Sequence, residues 1–113
     1  MAQRELDGKQ RRYLRALGHH IKPVVQIGSD GATSGVTEAL DRALTRHELV
    51  KVRVLAKGDA DLDELAAGLA AGTASAHAQT LGRTLLFYRA HPKKPRIVLP
   101  GSAAEKKAKR GAA

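Results

Sequence analysis

The chain opens on a helical period. At 100° per residue, Leu6, Tyr13, Leu14 and Leu17 share one sector, and Lys9, Arg11, Arg12 and Arg15 fill the rest of the circumference. This predicts a helix over about residues 6–17, stopped by Gly18. Pro23 lacks an N–H and suits the first position of a strand, and Val24-Val25-Gln26-Ile27 reads as a short buried one. Gly28-Ser29-Asp30-Gly31 breaks that strand. Thr33 or Ser34 then caps a second helix reaching His47, with Val36, Ala39, Leu40, Ala43 and Leu44 on its apolar side. Residues 48–55 form a strand in which Val50, Val52 and Val54 point one way and Lys51 and Arg53 the other. Asp61, with Glu64 three residues on, opens a third helix over about 61–72. Residues 75–81 and 84–89 read as strands joined by a hairpin turn at Gly82-Arg83. Ile97-Val98-Leu99 is extended and suits a short edge pairing.

The order is therefore α-β-α-β-α-β-β, which implies a single compact α/β domain with a mixed four-stranded sheet. Its first two strands, joined by a helical crossover, should be parallel and the connection right-handed; its last two should be antiparallel. The domain is expected to span residues 1–100. After Pro100-Gly101 the composition shifts to Ala, Lys, Gly and Arg, so residues 101–113 read as a disordered basic tail. A chain of 113 residues with 42% hydrophobic content can bury one modest core.

Composition narrows the chemistry. The chain has no cysteine, which excludes a disulfide scaffold, a thiol nucleophile and Cys-ligated metal. His19, His20, His47, His77 and His91 show no ligand spacing, and no H-E-x-x-H occurs, so no metal or other cofactor is expected. No nucleophile motif or acid–base pair is visible, so we expect no enzyme and no small-molecule substrate. No run approaches the length of a membrane span, and the polar N-terminus lacks a signal-peptide core; a cytoplasmic protein with no membrane partner is the simplest expectation.

A formal net charge of +9 needs a partner to explain it. Lys and Arg are absent from residues 23–41 and 58–82 and concentrate in the blocks between and beyond them. That grouping fits a one-sided cationic surface for a phosphate backbone. Gly28-Ser29-Asp30-Gly31 follows a strand and precedes a helix, where a bare backbone and the helix's first N–H groups favour an anion. The same four residues would also serve as a plain turn. The carboxylate of Asp30 repels phosphate, so affinity there has to come from neighbouring cations such as Lys22. Lys51 and Arg53 share a strand face. Arg12 and Arg15 lie on the basic back of the first helix. Arg83, Arg89, Lys93 and Lys94 make the densest basic block. Tyr13, Phe87 and Tyr88 are the three aromatics, and they read as packing residues. Recognition should thus depend on backbone shape and on salt. A protein-interaction module, its charge serving solubility and targeting, and a DNA-binding architectural protein remain alternatives on composition alone.

Three segments, in order, carry a resemblance. They are Lys22-Pro23-Val24-Val25-Gln26-Ile27-Gly28-Ser29-Asp30-Gly31, His47-Glu48-Leu49-Val50-Lys51-Val52-Arg53-Val54 and Gly82-Arg83-Thr84-Leu85-Leu86-Phe87-Tyr88-Arg89. Together they resemble the CRM domain, named for chloroplast RNA splicing and ribosome maturation, in its stand-alone bacterial form. The likeness covers about residues 6–100. It implies a fold similar to the C-terminal domain of translation initiation factor three. It also implies RNA binding, and association with ribosomal RNA of large-subunit precursors during ribosome assembly. By position, the implied RNA surface is Gly28, Ser29, Asp30, Gly31, Lys22, Lys51 and Arg53.

Overall fold

The computed structural model describes residues 6–28, 30–55 and 61–100. Ser29 and the tail at 101–113 lie outside those residues. In chain order the elements are α1 (Gly8–Gly18), β1 (Pro23–Ile27), α2 (Ser34–His47), β2 (Leu49–Val54), α3 (Leu62–Thr73), β3 (Ala76–Leu81) and β4 (Thr84–Tyr88). The strands form one sheet in the order β1-β2-β4-β3. β1 runs parallel to β2, and β4 is antiparallel to both its neighbours. This is the expected mixed α/β sheet.

Each sheet face has its own core. Val25, Ile27, Val50, Val52, Val54, Leu85 and Phe87 pack beneath α2 and α3 through Leu40, Leu44, Ala66 and Leu69. On the other face Leu49, Ala76, Ala78, Leu86 and Tyr88 pack against Leu14 of α1 and against Leu6, just ahead of that helix. Each such large side chain contributes about 1.5–3 kcal/mol by leaving water. Phe87 and Tyr88, successive residues of β4, thus fill opposite cores, and both are fully buried.

The local signals behave as their chemistry dictates at most boundaries. Thr33 caps α2 by accepting the Val36 N–H, and Asp61 caps α3 by accepting from Glu64. Gly82 takes the left-handed φ of +59° that the two-residue hairpin requires.

Four expectations need correction. The first helix begins at Gly8, because Asp7 and Gln10 form a reciprocal capping box that leaves Leu6 outside it. Its buried seam is Gln10, Leu14 and Gly18, while Tyr13 is exposed. Gln10 can be buried because its side chain donates to the Pro100 carbonyl and accepts from Asp7. Gly18 is a contact residue: a Cβ there would sit 3.0 Å from Leu86. β1 is an edge strand, with Val24 57% exposed. Residues 97–99 add no strand; Leu99 is instead inserted into the core beneath α1.

Candidate nucleic-acid interface

Parallel pairing of β1 with β2, and antiparallel pairing of β4, bring three features to one end of the sheet. They are the loop after β1, the end of β2, and the β3–β4 hairpin. Backbone bonds stitch them together: Leu55 N–H donates to Ile27 O, and Val54 N–H to Arg83 O, both at 2.8 Å. The Gly28–Gly31 loop and Arg83, far apart in sequence, therefore flank the same strand terminus.

The loop is closed by the Gly31 N–H donating to Gly28 O at 3.1 Å, with Gly31 at φ +75°. Thr33 N–H then donates to Gly31 O and the chain enters α2. The first N–H groups of that helix have no acceptor within it, so the loop sits at the positive end of a helix dipole. A Cβ at Gly28 or Gly31 would meet nothing within 4 Å. The backbone at both glycines faces open space, and Asp30 between them is exposed.

Lys51 and Arg53 project from β2 on the face opposite Val50, Val52 and Val54, as the alternation predicts. This is the face that α1 crosses. Helix α1 packs on β3, β2 and β4, and Val24 of the edge strand β1 stays exposed. At its C-terminal end, Arg15 and His19 join Lys51 and Thr84 around a small cavity of about 70 Å³. On the other side of the same helix end, Lys51 and Lys22 border an open cleft of about 580 Å³. Arg53 pairs in register with Gln26 on one side and Thr84 on the other, one step nearer the glycine loop. Arg12 is exposed on α1. Arg12, Arg15, Lys22, Lys51 and Arg53 thus belong to the α1 side of the sheet, and the loop and Arg83 to its adjoining end.

The structure does not bring the rest of the dense basic block to this place. Arg89 follows β4 at the opposite end. Its guanidinium donates to Asp41 Oδ1 at 2.6 Å, to the Asp41 and Thr73 carbonyls and to Thr45 Oγ1. It ties the end of β4 to α2 and α3, which occupies the donors that a phosphate would need. Lys93 and Lys94 are exposed in the segment after β4, where their backbone N–H groups donate to His91 Nδ1. That segment is moored to Glu48, so both lysines stand at the far end of β2 from the glycine loop. The separation is roughly 17 Å along the strand.

Glu48 is the residue that sequence reasoning missed. It is 2% exposed, and its carboxylate accepts backbone N–H groups from His91, Arg96 and Ile97. The one available signal was a lone acid between a helix end and an apolar strand. The cleft bordered by His20 and His47 has no local signal in the sequence, since its lining comes from three separate stretches of chain. Among the described residues no group of three or more metal-ligating side chains converges, and no helix is long and apolar enough to cross a membrane.

The family model of the CRS1 / YhbY (CRM) domain matches residues 6–89. The "Probable RNA-binding protein YqeI" of Bacillus subtilis is 36% identical over 95 residues, covering 84% of this chain and 99% of that protein. An "RNA-binding protein" of Haemophilus influenzae is 40% identical over 85 residues, covering 74% of this chain and 85% of that one. The solution structure of the Staphylococcus aureus protein SAV1595 superposes with a TM-score of 0.75 at 40% identity, covering 85% of this chain and all of that chain. The matched span contains the glycine loop, the Lys51–Arg53 strand and the closing hairpin, and the chain belongs to the CRS1 / YhbY (CRM) domain family.

Proposed function

We propose that this protein binds RNA through the α1 side of its sheet and the adjoining glycine-loop end. It does so without catalysing a reaction. The observation that carries this reading is the convergence at one sheet terminus of an unshielded backbone at Gly28 and at Gly31, the Arg53 end of β2 and the Arg83 hairpin, with Lys51 on the same strand face as Arg53. Cations and a helix N-terminus beside glycines that carry no side-chain bulk suit phosphate oxygens. Relatives named as RNA-binding proteins support the same partner. In this reading Lys22, Arg12 and Arg15 extend the phosphate-binding strip, and Gly28, Ser29, Asp30 and Gly31 form the loop against which the backbone lies. Arg89 serves the fold.

The finer part of the proposal follows the family resemblance. The RNA is ribosomal, from a precursor of the large subunit, and the protein acts in the cytoplasm, on the assembling particle, by holding RNA shape. Crosslinking in cells, followed by sequencing of the bound RNA, tests this part. Enrichment of large-subunit precursor sequences is expected, and enrichment of unrelated transcripts alone would refute it. The binding reading is tested separately by titrating salt against affinity for a fragment of that RNA. With six cations engaged, log affinity should fall with log salt at a slope of about −4 to −5. A slope near zero would leave phosphate contacts no role.

A further inference from the structure

The cleft beside Lys51 has a chemistry that backbone binding alone does not use. Leu17, Ile21, Val24, Leu49 and Ile97 give it an apolar floor of about 580 Å³. The exposure of Val24 shows that this floor is open to a ligand. Its rim carries Lys22 and Lys51 together with the exposed imidazoles of His20 and His47, and no Asp or Glu is among the residues lining it. A ligand matched to this place has a planar apolar body and a negative charge at its edge. Ammonium groups on the rim select the anion, and the histidines offer ring faces for stacking.

We infer that this cleft takes an unstacked base of single-stranded RNA, with its phosphates on Lys22 and Lys51. The inference rests on the RNA-binding reading above and specifies the form of RNA that the surface selects. The path is continuous: β1 leads from Val24, at the cleft, to Gly28, at the loop. That run is about 13 Å, which a stacked strand covers in roughly four nucleotides. A duplex can fill the cleft only by extruding a base, at a cost in pairing and stacking that a single strand avoids. The pairing of two exposed imidazoles with two ammonium groups is what favours a nucleotide over an acidic, apolar peptide strand laid on the edge of β1. Two ammonium groups and two ring faces suit a phosphate and a base, and they give a peptide backbone nothing specific.

The test uses the full chain and fluorescence anisotropy. The probes are a labelled 12-nucleotide oligo(U), a labelled 12-nucleotide oligo(A) and a 12-base-pair RNA duplex. Two variants are compared with the parent: His20→Ala with His47→Ala, and Val24→Asn. Neither alters a lysine or arginine, and all three side chains are exposed, so the fold should survive. A thermal melt checks this. The parent should prefer single strands. The double variant should lose about 10-fold on them, and Val24→Asn about 3-fold, with less than 2-fold change on the duplex; base stacking has this order of worth. Equal losses on single strand and duplex, or no loss on either, would overturn the inference while RNA binding stands. Failure of the parent to bind any of the three probes would instead sink the RNA-binding reading. A labelled Glu-rich apolar peptide is the last arm. If the peptide binds, and the variants abolish its binding while leaving oligonucleotide affinity intact, the cleft belongs to a protein partner and the inference fails.

Discussion

At the scale of single residues, Glu48 shows how one side chain can hold a segment that has no regular structure. Its backbone stands at φ +62°, a region that costs a non-glycine residue energy. Its N–H bonds to Leu44 O, its carbonyl accepts from Arg89, and its carboxylate accepts three further N–H groups. Removing that carboxylate strands three part-buried donors. Glu48→Ala should therefore cost about 3 kcal/mol or more, and Glu48→Gln, which keeps an acceptor, about half of that. Urea denaturation measures both. The two loop glycines make a sharper pair. Gly31 needs its left-handed φ, so Gly31→Ala should cost about 1 kcal/mol. Gly28 has neither a left-handed φ nor a neighbour within 4 Å, so Gly28→Leu should leave stability within about 0.5 kcal/mol. A fall in RNA affinity for Gly28→Leu then reports the approach of the partner. Unchanged affinity would mean that the loop is only a turn. The glycines could be read from the sequence because a break after an apolar strand is a local signal. The role of Glu48 could not, since its carboxylate's partners lie 43 to 49 residues away.

At the scale of elements, the legible boundaries are those with a cap inside them. Thr33 and Asp61 each bond three residues ahead, so the start of α2 and of α3 is written within one turn. The end of α3 is different. The sequence places that end at about residue 72, yet the helix continues to Thr73 and ends on Ala74 at φ +52°. Gly72 serves instead where α3 approaches α2, since a Cβ there would sit 3.1 Å from Thr37. Gly18 does both, since α1 ends at it and it also lets the helix touch Leu86, and a glycine that ends a helix and one that lets two elements touch look alike in sequence. The open edge of β1 was equally hidden, as Val-Val-Gln-Ile suits a central strand and an edge strand alike. Strand β3 carries a further consequence. Its register shifts between His77 and Gln79, and His77 lies against Phe87 with Nε2 2.8 Å from Thr80 Oγ1. Burial lowers the His77 pKa below its ordinary 6.5; Arg11 adds to this, while a backbone bond at Gln79 and the charge of Asp63 oppose it. The unfolded chain therefore binds the proton more readily than the fold does. Stability from this group is complete above pH 6.5, falls as pH drops below that value and levels off below the folded pKa. His77→Gln should flatten this part of the stability profile, as measured by denaturation between pH 7.5 and 5. An unchanged profile would assign the pH dependence to other groups.

At the scale of the whole molecule, the question is whether binding follows the total charge or its placement. The sequence shows alternating basic and neutral-to-acidic blocks but not where folding sends them. The sheet order sends them to two places, because β2 and β4 run in opposite directions. Lys51 and Arg53 go to the α1 side near the glycine loop, and Lys93 and Lys94 follow the end of β4 to the opposite end. Reversing either pair changes net charge by the same amount. On an RNA duplex, which leaves the cleft lined by Ile97 empty, Lys51→Glu with Arg53→Glu and Lys93→Glu with Lys94→Glu should weaken binding alike if total charge governs affinity. At 0.15 M salt, screening acts over about 8 Å, less than the roughly 17 Å along β2. A local interface should therefore feel the two changes unequally. The β2 pair should lower affinity about 10-fold or more and reduce the salt slope by about 1.5 to 2. The distal pair should change affinity less than 3-fold and leave the slope nearly intact. None of the four side chains is buried, so all variants should fold. Equal losses from the two pairs would dissolve the interface into a diffuse cationic field, and a larger loss from the distal pair would move it to the other end of the sheet.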